Sequence, residues 1–302
     1  MADPVIEVSG LRMRYGQREA VRGVELSVAR GEVFAFLGPN GAGKTTTVEI
    51  LEGYRRRTGG EVSVLGEDPE RAGSAWRGRV GVVLQSSQIE RELTVHEVLE
   101  LYSGYHQRPL PIDEVLALAG LTEQVGVRGG RLSGGQQRRV DVALALIGDP
   151  ELVFLDEPTT GFDPAARRAA WEVIRGLQAL GKTIFLTTHY MEEAETLADR
   201  IAVIVEGQIV GEGTPSTLGA RDRAATRISF ALPAGVPPDA LPGAVRGGAV
   251  EGSGRYGVST EHPMAALQAL SAWALERGHD LADVDVRRPS LEDVYLELTR
   301  GT

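Results

Sequence analysis

Short apolar runs alternate with stretches of helical spacing up to about residue 200. Runs of this length, bounded by turn residues, are typical of buried strands. Four of them are Gly31–Leu37, Val80–Leu84, Glu151–Leu155 and Thr183–Thr187. Strands that alternate with helices favour a mostly parallel sheet with right-handed crossovers. The pattern therefore predicts an α/β fold for this part of the chain.

Other segments have different periods. Val5–Val8 and Gly23–Val28 alternate apolar and polar residues, which is typical of half-buried strands. Leu93–Gly120 is predicted to be mainly helical, with a break at its prolines. A second helix is predicted from Gln137 to Ile147. Ile201–Val210 predicts a hairpin that turns at Glu206-Gly207.

The pattern changes after residue 214, where prolines and turn residues become frequent. Arg227–Leu232 and Val284–Val286 then predict strands, and Met264–Arg277 predicts an amphipathic helix. A last helix is predicted to begin at Ser290, which with Asp293 resembles a capping box. We therefore expect a small α+β domain from about residue 218 onward.

Composition narrows the possible functions. The chain has 302 residues, 42% of them hydrophobic, which is ample for a buried core. It has no cysteine, which excludes disulfides and thiolate metal sites and suits a reducing compartment. A net charge of −10 argues against a broad nucleic-acid footprint, although a local basic patch stays open.

No segment has the composition of a membrane signal. The N-terminal residues lack the basic and apolar regions of a signal peptide. No apolar run approaches the roughly 18 residues that a membrane span needs. We therefore expect a soluble chain, whose membrane role, if it has one, comes through a partner.

One glycine-rich stretch fits a phosphate-binding loop without a mismatch. It consists of Gly38, Pro39, Asn40, Gly41, Ala42, Gly43, Lys44, Thr45 and Thr46. Glycines let backbone N–H groups surround an anion, and the following helix adds its N-terminal partial charge. Lys44 is expected to reach the β- and γ-phosphates, and the Thr45 hydroxyl to ligate Mg²⁺. The alternative is an ordinary turn between a strand and a helix.

Polar residues end two of the predicted strands. Asp156 and Glu157 follow a buried strand, at the end where ligands bind in parallel sheets. Asp156 is placed to hold Mg²⁺, usually through water, and Glu157 to activate a nucleophilic water. The alternative is a solvated turn. His189 follows the next strand and is either a phosphate donor or a structural histidine.

Two further residues have open interpretations on sequence alone. Ser133 lies just ahead of the helix predicted from Gln137, where a helix N-terminus could bind an anion. Ser-Gly-Gly is also a common loop sequence. Tyr15 adjoins a turn glycine and is most simply a half-buried aromatic residue.

Taken together and in this order, the motifs resemble those of the nucleotide-binding subunit of an ABC transporter. Leu132–Gln136 stands between the phosphate loop and Asp156-Glu157, with Gln85 and His189 at flanking strand ends. The resemblance covers roughly residues 4–215. The tail, Pro289–Leu298, is similar to that of the daunorubicin-resistance type of drug exporter.

The resemblance implies an α/β P-loop NTPase fold with a mostly parallel sheet, an antiparallel N-terminal β subdomain and a helical subdomain. The expected ATPase domain is 4–217, with the helical subdomain at about 86–148. Residues 218–302 are then a small C-terminal α+β accessory domain.

Residue roles also follow from the resemblance. Tyr15 would stack on adenine, Gln85 would touch Mg²⁺ and report to a membrane partner, and His189 would bind the γ-phosphate. Glu157 would polarise the attacking water. Four signature residues would act on the ATP of the opposite subunit: Ser133, Gly134, Gly135 and Gln136. Asp163 matches the loop that links the two sites, although Phe162 stands where the family more often has Leu.

The expected function is an ATP-hydrolysing subunit that energises an ABC-2-type exporter of a drug, lipid or other amphiphile. Its expected partners are a permease and a second nucleotide-binding subunit, most simply an identical chain. No nucleic-acid partner is expected. It would then lie at the cytoplasmic face of the membrane. Leu93–Gln107 would carry the docking groove, unless its apolar residues are simply core. The alternatives are a non-transport ABC ATPase acting on ribosomes or DNA, and an uptake or regulatory subunit.

Overall fold

A computed structural model describes residues 4–84, 89–221, 225–233, 235–250 and 255–300. Its strands are Pro4–Tyr15 (β1), Arg18–Ala29 (β2), Val33–Leu37 (β3), Gly59–Val64 (β4), Val80–Val83 (β5), Leu152–Asp156 (β6), Thr183–Thr188 (β7), Arg200–Val205 (β8), Gln208–Gly213 (β9), Thr226–Ala231 (β10), Ala249–Val250 (β11), Arg255–Thr260 (β12) and Asp285–Arg287 (β13). Its α-helices are Lys44–Leu51 (α1), Ser74–Arg77 (α2), Val95–Ser103 (α3), Ile112–Leu118 (α4), Gly134–Leu146 (α5), Pro164–Ala179 (α6), Met191–Leu197 (α7), Pro263–Arg277 (α8) and Leu291–Arg300 (α9).

A six-stranded sheet in the order β5-β6-β7-β3-β8-β9 forms the centre of the first compact unit, which ends at Pro215. Every neighbouring pair is parallel except β8 and β9, which form the predicted hairpin. Leu37 pairs with Thr188, and Asp156 pairs with Thr187. The carboxyl ends of β3, β6 and β7 therefore share one edge, as the prediction of a mostly parallel sheet requires.

Both faces of this sheet are covered. On one face Phe34, Phe36, Phe154 and Phe185 pack towards α1 and the sheet formed by β2, β1 and β4. The other face packs against α5, α6 and α7. Each fully buried phenylalanine stabilises the fold by about 1.5–3 kcal/mol relative to an exposed one. The buried faces hold the carboxyl ends of β3, β6 and β7 in fixed register.

The N-terminal hairpin is longer than predicted. β1 and β2 each have 12 residues, whereas the expected strands were Val5–Val8 and Gly23–Val28. The apolar alternation continues past a left-handed Gly10, because Leu11 and Met13 also face the core. β1 pairs with both β2 and β4 in antiparallel fashion, which forms the expected antiparallel N-terminal β subdomain.

The helices α3, α4 and α5 enclose a separate apolar core and form the expected helical subdomain. Its fully buried members include Val98, Leu99, Val115 and Val140. The stretch Leu93–Gly120, predicted to be mainly helical with a break at its prolines, forms two helices that are divided at the proline-containing segment.

The second compact unit spans Ser216–Arg300. Its antiparallel sheet has the order β11-β12-β10-β13, and α8 packs against it through Leu270 and Trp273. The predicted strand, amphipathic helix and capped last helix all occur here, with Ser290 and Asp293 forming reciprocal hydrogen bonds ahead of α9. None of the helices in the described ranges combines the length and apolar character that crossing a bilayer requires.

Candidate nucleotide-binding site

The loop predicted to bind phosphate joins β3 to α1 and leaves no space for side chains at two of its glycines. A Cβ added at Gly38 would lie 2.3 Å from the carbonyl oxygen of Ile204. One added at Gly43 would lie 2.6 Å from the carbonyl oxygen of Ala20. Gly43 also has φ 107°, a conformation that side chains disfavour. Close packing therefore fixes the backbone of the loop.

Lys44, the first residue of α1, has its ammonium group largely buried in the loop. Nζ donates to the carbonyl oxygens of Gly38, at 2.5 Å, and Pro39, at 3.1 Å. Burial lowers the pKa of Lys44, and the nearby carboxylates of Glu157 and Asp156 act in the opposite direction. A buried cation of this kind is stabilised by anionic ligands, because they offset its desolvation.

A cavity of about 400 Å³ opens beside the loop, within the size range of small-ligand sites. Its lining includes nine of the residues predicted from sequence: Tyr15, Asn40, Gly41, Gly43, Lys44, Thr45, Thr46, Asp156 and Glu157. Arg18 and Ala20 complete it. Gly38, Pro39 and Ala42 are not part of the lining. The first two accept the hydrogen bonds of Lys44, and Ala42 is buried.

Tyr15 ends β1 at the rim of this cavity and is 41% exposed. Its hydroxyl lies 3.4 Å from the hydroxyl oxygen of Thr46. The guanidinium of Arg55 lies 5.3 Å from the ring centroid. The exposed ring therefore borders the phosphate loop, beyond the buried core of the hairpin.

Asp156 and Thr45 line the same cavity, so a carboxylate and a hydroxyl are available to a hard cation. The Thr187 hydroxyl on the neighbouring strand donates to Asp156 Oδ1. In the described part of the chain, no group of three or more His, Asp or Glu side chains could hold a metal ion by itself. This donor set fits Mg²⁺, which typically takes one or two protein ligands and completes its shell with phosphates and water. Gln85, the third predicted ligand, lies outside the described residues.

Glu157 has a constrained position just beyond β6. Its φ of 46° is uncommon for a residue with a side chain, and its N–H donates to both the carbonyl and the hydroxyl oxygen of Thr187. His189 Nδ1 lies 3.4 Å from Glu157 Oε1. Thr160 donates to the other carboxylate oxygen at 3.2 Å. The structure therefore brings Glu157 and His189 together at the strand edge.

A second cavity, of about 450 Å³, adjoins Glu157 on the side of the helical subdomain. Its lining includes Ser133, Gly134, Gly135, Asp163 and Glu157. Ser133 caps α5, which begins at Gly134 and not at the predicted Gln137. The side chain of Gln136 faces back to accept from the Ser133 N–H at 2.9 Å. The capping pair explains the earlier start.

Asp163 caps α6 by accepting hydrogen bonds from the N–H groups of Ala165 and Ala166. The loop between β6 and α6 thereby ends in a fixed turn beside Gly135, whose added Cβ would approach the side chain of Ala166. The structure thus places Asp163 next to the signature residues of the same chain.

Arg138 is a prominent polar residue of this region that the sequence interpretation missed. It lies on α5, its side chain is 11% exposed, and its guanidinium donates to the carbonyl oxygens of Leu84, Asp156 and Pro158. Burial lowers the pKa of Arg138, opposed by the carboxylates of Asp141 and Asp156. The only sequence signal was an Arg–Asp pair three residues apart, which is common on helices.

Comparison with known families matches residues 21–160 to the family described as ABC transporter. Residues 226–290 match the family described as ABC transporter domain-containing protein-like, C-terminal domain. Daunorubicin resistance ATP-binding protein DrrA3 of Streptomyces coeruleorubidus is 39% identical over 308 residues, covering 99% of this chain and 97% of that protein. Nod factor export ATP-binding protein I of Sinorhizobium fredii (strain NBRC 101917 / NGR234) is 40% identical, covering 99% and 87%.

Among solved structures, the chain is similar to the ATP-binding cassette MJ0796, in a dimeric post-hydrolysis state bound to ADP and Pi. The TM-score is 0.62 at 25% identity, over 69% of this chain and 98% of that one. The predicted family and fold are confirmed. The chain belongs to the ATP-binding subunits of ABC transporters and is an ATPase.

Proposed function

We propose that this ATPase energises an ABC-2-type exporter of a drug, lipid or other amphiphile. The observation that carries the proposal is the occurrence of two cavities on one chain, lined by Lys44 and Ser133 respectively and sharing Glu157. The full-length relatives named for daunorubicin resistance and Nod factor export support the direction of transport.

The cavity beside the loop is the proposed ATP site. Tyr15 stacks on adenine, while Lys44 and the loop amides stabilise the phosphate charge. Thr45 and Asp156 would hold Mg²⁺, Asp156 through water, with Gln85 as the proposed further ligand. When bound, the ion would supply positive charge that offsets the charge of the phosphates. These assignments agree with the lining of the cavity, which brings Tyr15, Lys44, Thr45 and Asp156 together.

Glu157 is the proposed general base, and His189 the proposed γ-phosphate ligand. Phosphoryl transfer to water depends on positioning and on charge stabilisation more than on covalent chemistry. The two hydrogen bonds from the Glu157 N–H and the one from Thr160 hold the carboxylate beside His189. This geometry supports a role in orienting water in line with the γ-phosphate.

A second copy of the chain is the proposed source of Ser133, Gly134, Gly135 and Gln136 for each ATP. None of these four residues contributes to the described lining of the Lys44 cavity, so one chain does not place Lys44 and Ser133 on one nucleotide. Two chains facing each other would do so. The dimeric form of the MJ0796 cassette with ADP and Pi supports this arrangement. ATP then favours the closed dimer, and hydrolysis reverses it.

The proposed permease docks on the helical subdomain, which places the chain at the cytoplasmic face of the membrane. Within Leu93–Gln107, the apolar residues Val95, Val98 and Leu99 belong to the core, so they offer no docking surface. Leu101 and Tyr105 are 49% and 79% exposed and remain available to a partner. Co-purification from detergent-solubilised membranes tests the partner. We expect a permease, whereas ribosomes or a solute-binding protein would support the alternative functions.

The substitution Glu157→Gln tests the catalytic proposal. We expect ATP binding to persist, hydrolysis to fall by about 100-fold or more, and an ATP-bound dimer to accumulate. Glu192→Gln is the matched control, because Glu192 lies on α7, three residues after His189, and its side chain is 73% exposed. Turnover and size-exclusion chromatography with light scattering give the two readouts. Wild-type turnover in Glu157→Gln would refute the general-base role.

A further inference from the structure

The guanidinium of Arg138 connects the signature helix to the ends of two strands of the central sheet. Nη2 donates to the carbonyl oxygen of Asp156 at 2.7 Å, and Nε donates to that of Pro158 at 3.4 Å. Nη1 donates to the carbonyl oxygen of Leu84, just past the end of β5. All three acceptors are backbone groups, so the contact depends on the position of the chain and not on the identity of the acceptor side chains.

Two of these acceptors lie on either side of Glu157. Residues other than glycine are strained at positive φ, and they persist there only where their surroundings hold them. Glu157, at φ 46°, is held through its own N–H by Thr187 and through the flanking carbonyls by Arg138. Arg138 therefore restrains the turn from the side opposite β7.

Arg138 also lies on the helix that Ser133 caps. It is five residues after Ser133 on α5, and both residues line the second cavity with Glu157. The same guanidinium lies 3.8 Å from the carboxylate of Asp141, one turn further along the helix. The side chains of both residues are about one-tenth exposed. A displacement of the helix N-terminus would thus be transmitted to the carbonyls beside Glu157.

We propose that Arg138 is a positioning residue for ATP hydrolysis, which holds the Glu157 turn in its reactive conformation and couples it to the signature helix. The proposal rests on the proposed role of Glu157 as general base. Arg138 is absent from the lining of the Lys44 cavity of its own chain, and it acts through the backbone of Asp156 and Pro158. The planar guanidinium of arginine carries several N–H groups and can donate to three carbonyls at once, which the ammonium group of lysine cannot do.

Arg138→Met and Arg138→Lys in the full-length chain test the proposal. We expect kcat to fall about 10- to 100-fold in Arg138→Met, with ATP affinity within about twofold of wild type, because positioning groups act on the chemical step. Arg138→Lys is expected to lose less kcat than Arg138→Met but not to reach the wild-type value, since lysine keeps the charge without the planar guanidinium. Arg139→Met is the matched control, because the neighbouring Arg139 donates to the carbonyl oxygen of Gly120.

A double-mutant cycle separates positioning of Glu157 from an independent role. In a Glu157→Gln background, substitution of Arg138 is expected to leave the residual single-turnover rate within about twofold, because groups that act as a unit are not additive. A loss that multiplies in this background, unchanged kcat in both Arg138 variants, or a loss confined to ATP affinity would overturn the proposal.

Two further outcomes remain interpretable. If Arg138→Met does not fold, Arg138→Lys takes its place in the cycle, because it retains the buried charge and one or more donors. Wild-type turnover in Glu157→Gln would refute the proposed catalytic role of Glu157. Reduced turnover in Glu157→Gln together with unchanged kcat in both Arg138 variants would refute the Arg138 proposal alone.

Discussion

The chain contains two lysines, Lys44 and Lys182, and their surroundings differ sharply. Lys44 lies in the phosphate loop with its ammonium bonded to two carbonyls, whereas Lys182 forms a surface ion pair with Asp149. Lys44→Ala is predicted to weaken ATP binding by about 10- to 100-fold, which is the loss of affinity expected when one charge-assisted hydrogen bond is removed. Lys182→Ala is the control and is expected to bind normally. Titration with a fluorescent ATP analogue measures both, and equal affinities would exclude the loop as the phosphate site.

Glu52 has a raised pKa, which makes the stability of the fold depend on pH in a testable way. It follows α1, is almost fully buried, and has its pKa raised to about 8 by burial and by the nearby carboxylates of Asp156 and Glu49. The folded state therefore binds this proton more tightly than the unfolded state. The stabilisation of the fold by protonated Glu52 is fully present below the ordinary pKa of 4.5, and it is lost as the pH rises through about 8.

We accordingly predict that Glu52→Gln, which mimics the protonated acid, removes this pH dependence. Between pH 5.5 and pH 8.5 the wild-type chain is expected to lose about 3 kcal/mol more unfolding free energy than the variant. Urea unfolding at the two pH values measures the difference. Glu123→Gln, at an exposed position, is the control and is expected to follow the wild type. Parallel pH profiles for wild type and Glu52→Gln would show that Glu52 is ionised in the folded state.

The residues that sequence could predict are those whose chemistry is local. The proposed phosphate loop and the proposed roles of Asp156 and Glu157 are recognisable in the sequence because they depend on neighbours in the chain and on a strand end. Arg138 was not predictable, because its three acceptors come from segments up to 54 residues away. Glu52 was missed for the same reason, since its pKa is raised by burial in the folded chain and by Asp156, at the end of a strand distant in sequence.

At the level of elements, two helices of the helical subdomain begin with the same device. Thr94 and Glu97 form a capping box on α3, and Ser133 and Gln136 form one on α5. Replacing either hydroxyl with alanine is expected to cost about 1 kcal/mol of stability. The two caps therefore form a matched pair that separates helix stability from function.

We predict that Ser133→Ala loses ATP-driven dimerisation and most turnover, whereas Thr94→Ala loses stability alone. The reason is that Ser133 faces the second cavity beside Glu157, while Thr94 is absent from its lining. Thermal unfolding gives the stability of both variants, and light scattering with Mg²⁺ and a non-hydrolysable ATP analogue gives the dimer. Intact turnover in Ser133→Ala would remove the basis for a composite site.

Element types followed from periodicity, but element ends depended on contacts. The helix α5 starts at Gly134 because the Gln136 side chain turns back to the Ser133 backbone, a reciprocal bond that apolar spacing does not encode. The hairpin β1–β2 runs to Tyr15 because residues beyond Val8 find partners on β2 and β4. Local apolar runs show that a strand exists, whereas its length is decided by the strand beside it.

At the scale of the whole molecule, the site depends on strand order. The sequence predicted a parallel sheet, but the order β5-β6-β7-β3-β8-β9 results from long-range crossovers that no local pattern specifies. That order places β7 between β3 and β6, so Thr187 contacts Asp156 and Glu157 while its own strand pairs with β3. The phosphate loop and the acidic strand end thereby share one cavity on a single chain.

The arrangement of two cavities predicts complementation between inactive chains. If each ATP takes Lys44 from one chain and Ser133 from the other, a dimer of Lys44→Ala with Ser133→Ala contains one fully intact site. Random mixing then gives roughly a quarter of wild-type turnover, since half of the dimers are mixed and each has one working site of two. A doubly substituted chain mixed with wild type contains no intact site in the mixed dimer. In that second mixture the wild-type dimers, about a quarter of the total, supply all of the turnover. ATPase assays on both mixtures therefore discriminate, because composite sites predict about a quarter of wild-type turnover in each, whereas chains that work alone would give none in the first mixture and about half in the second.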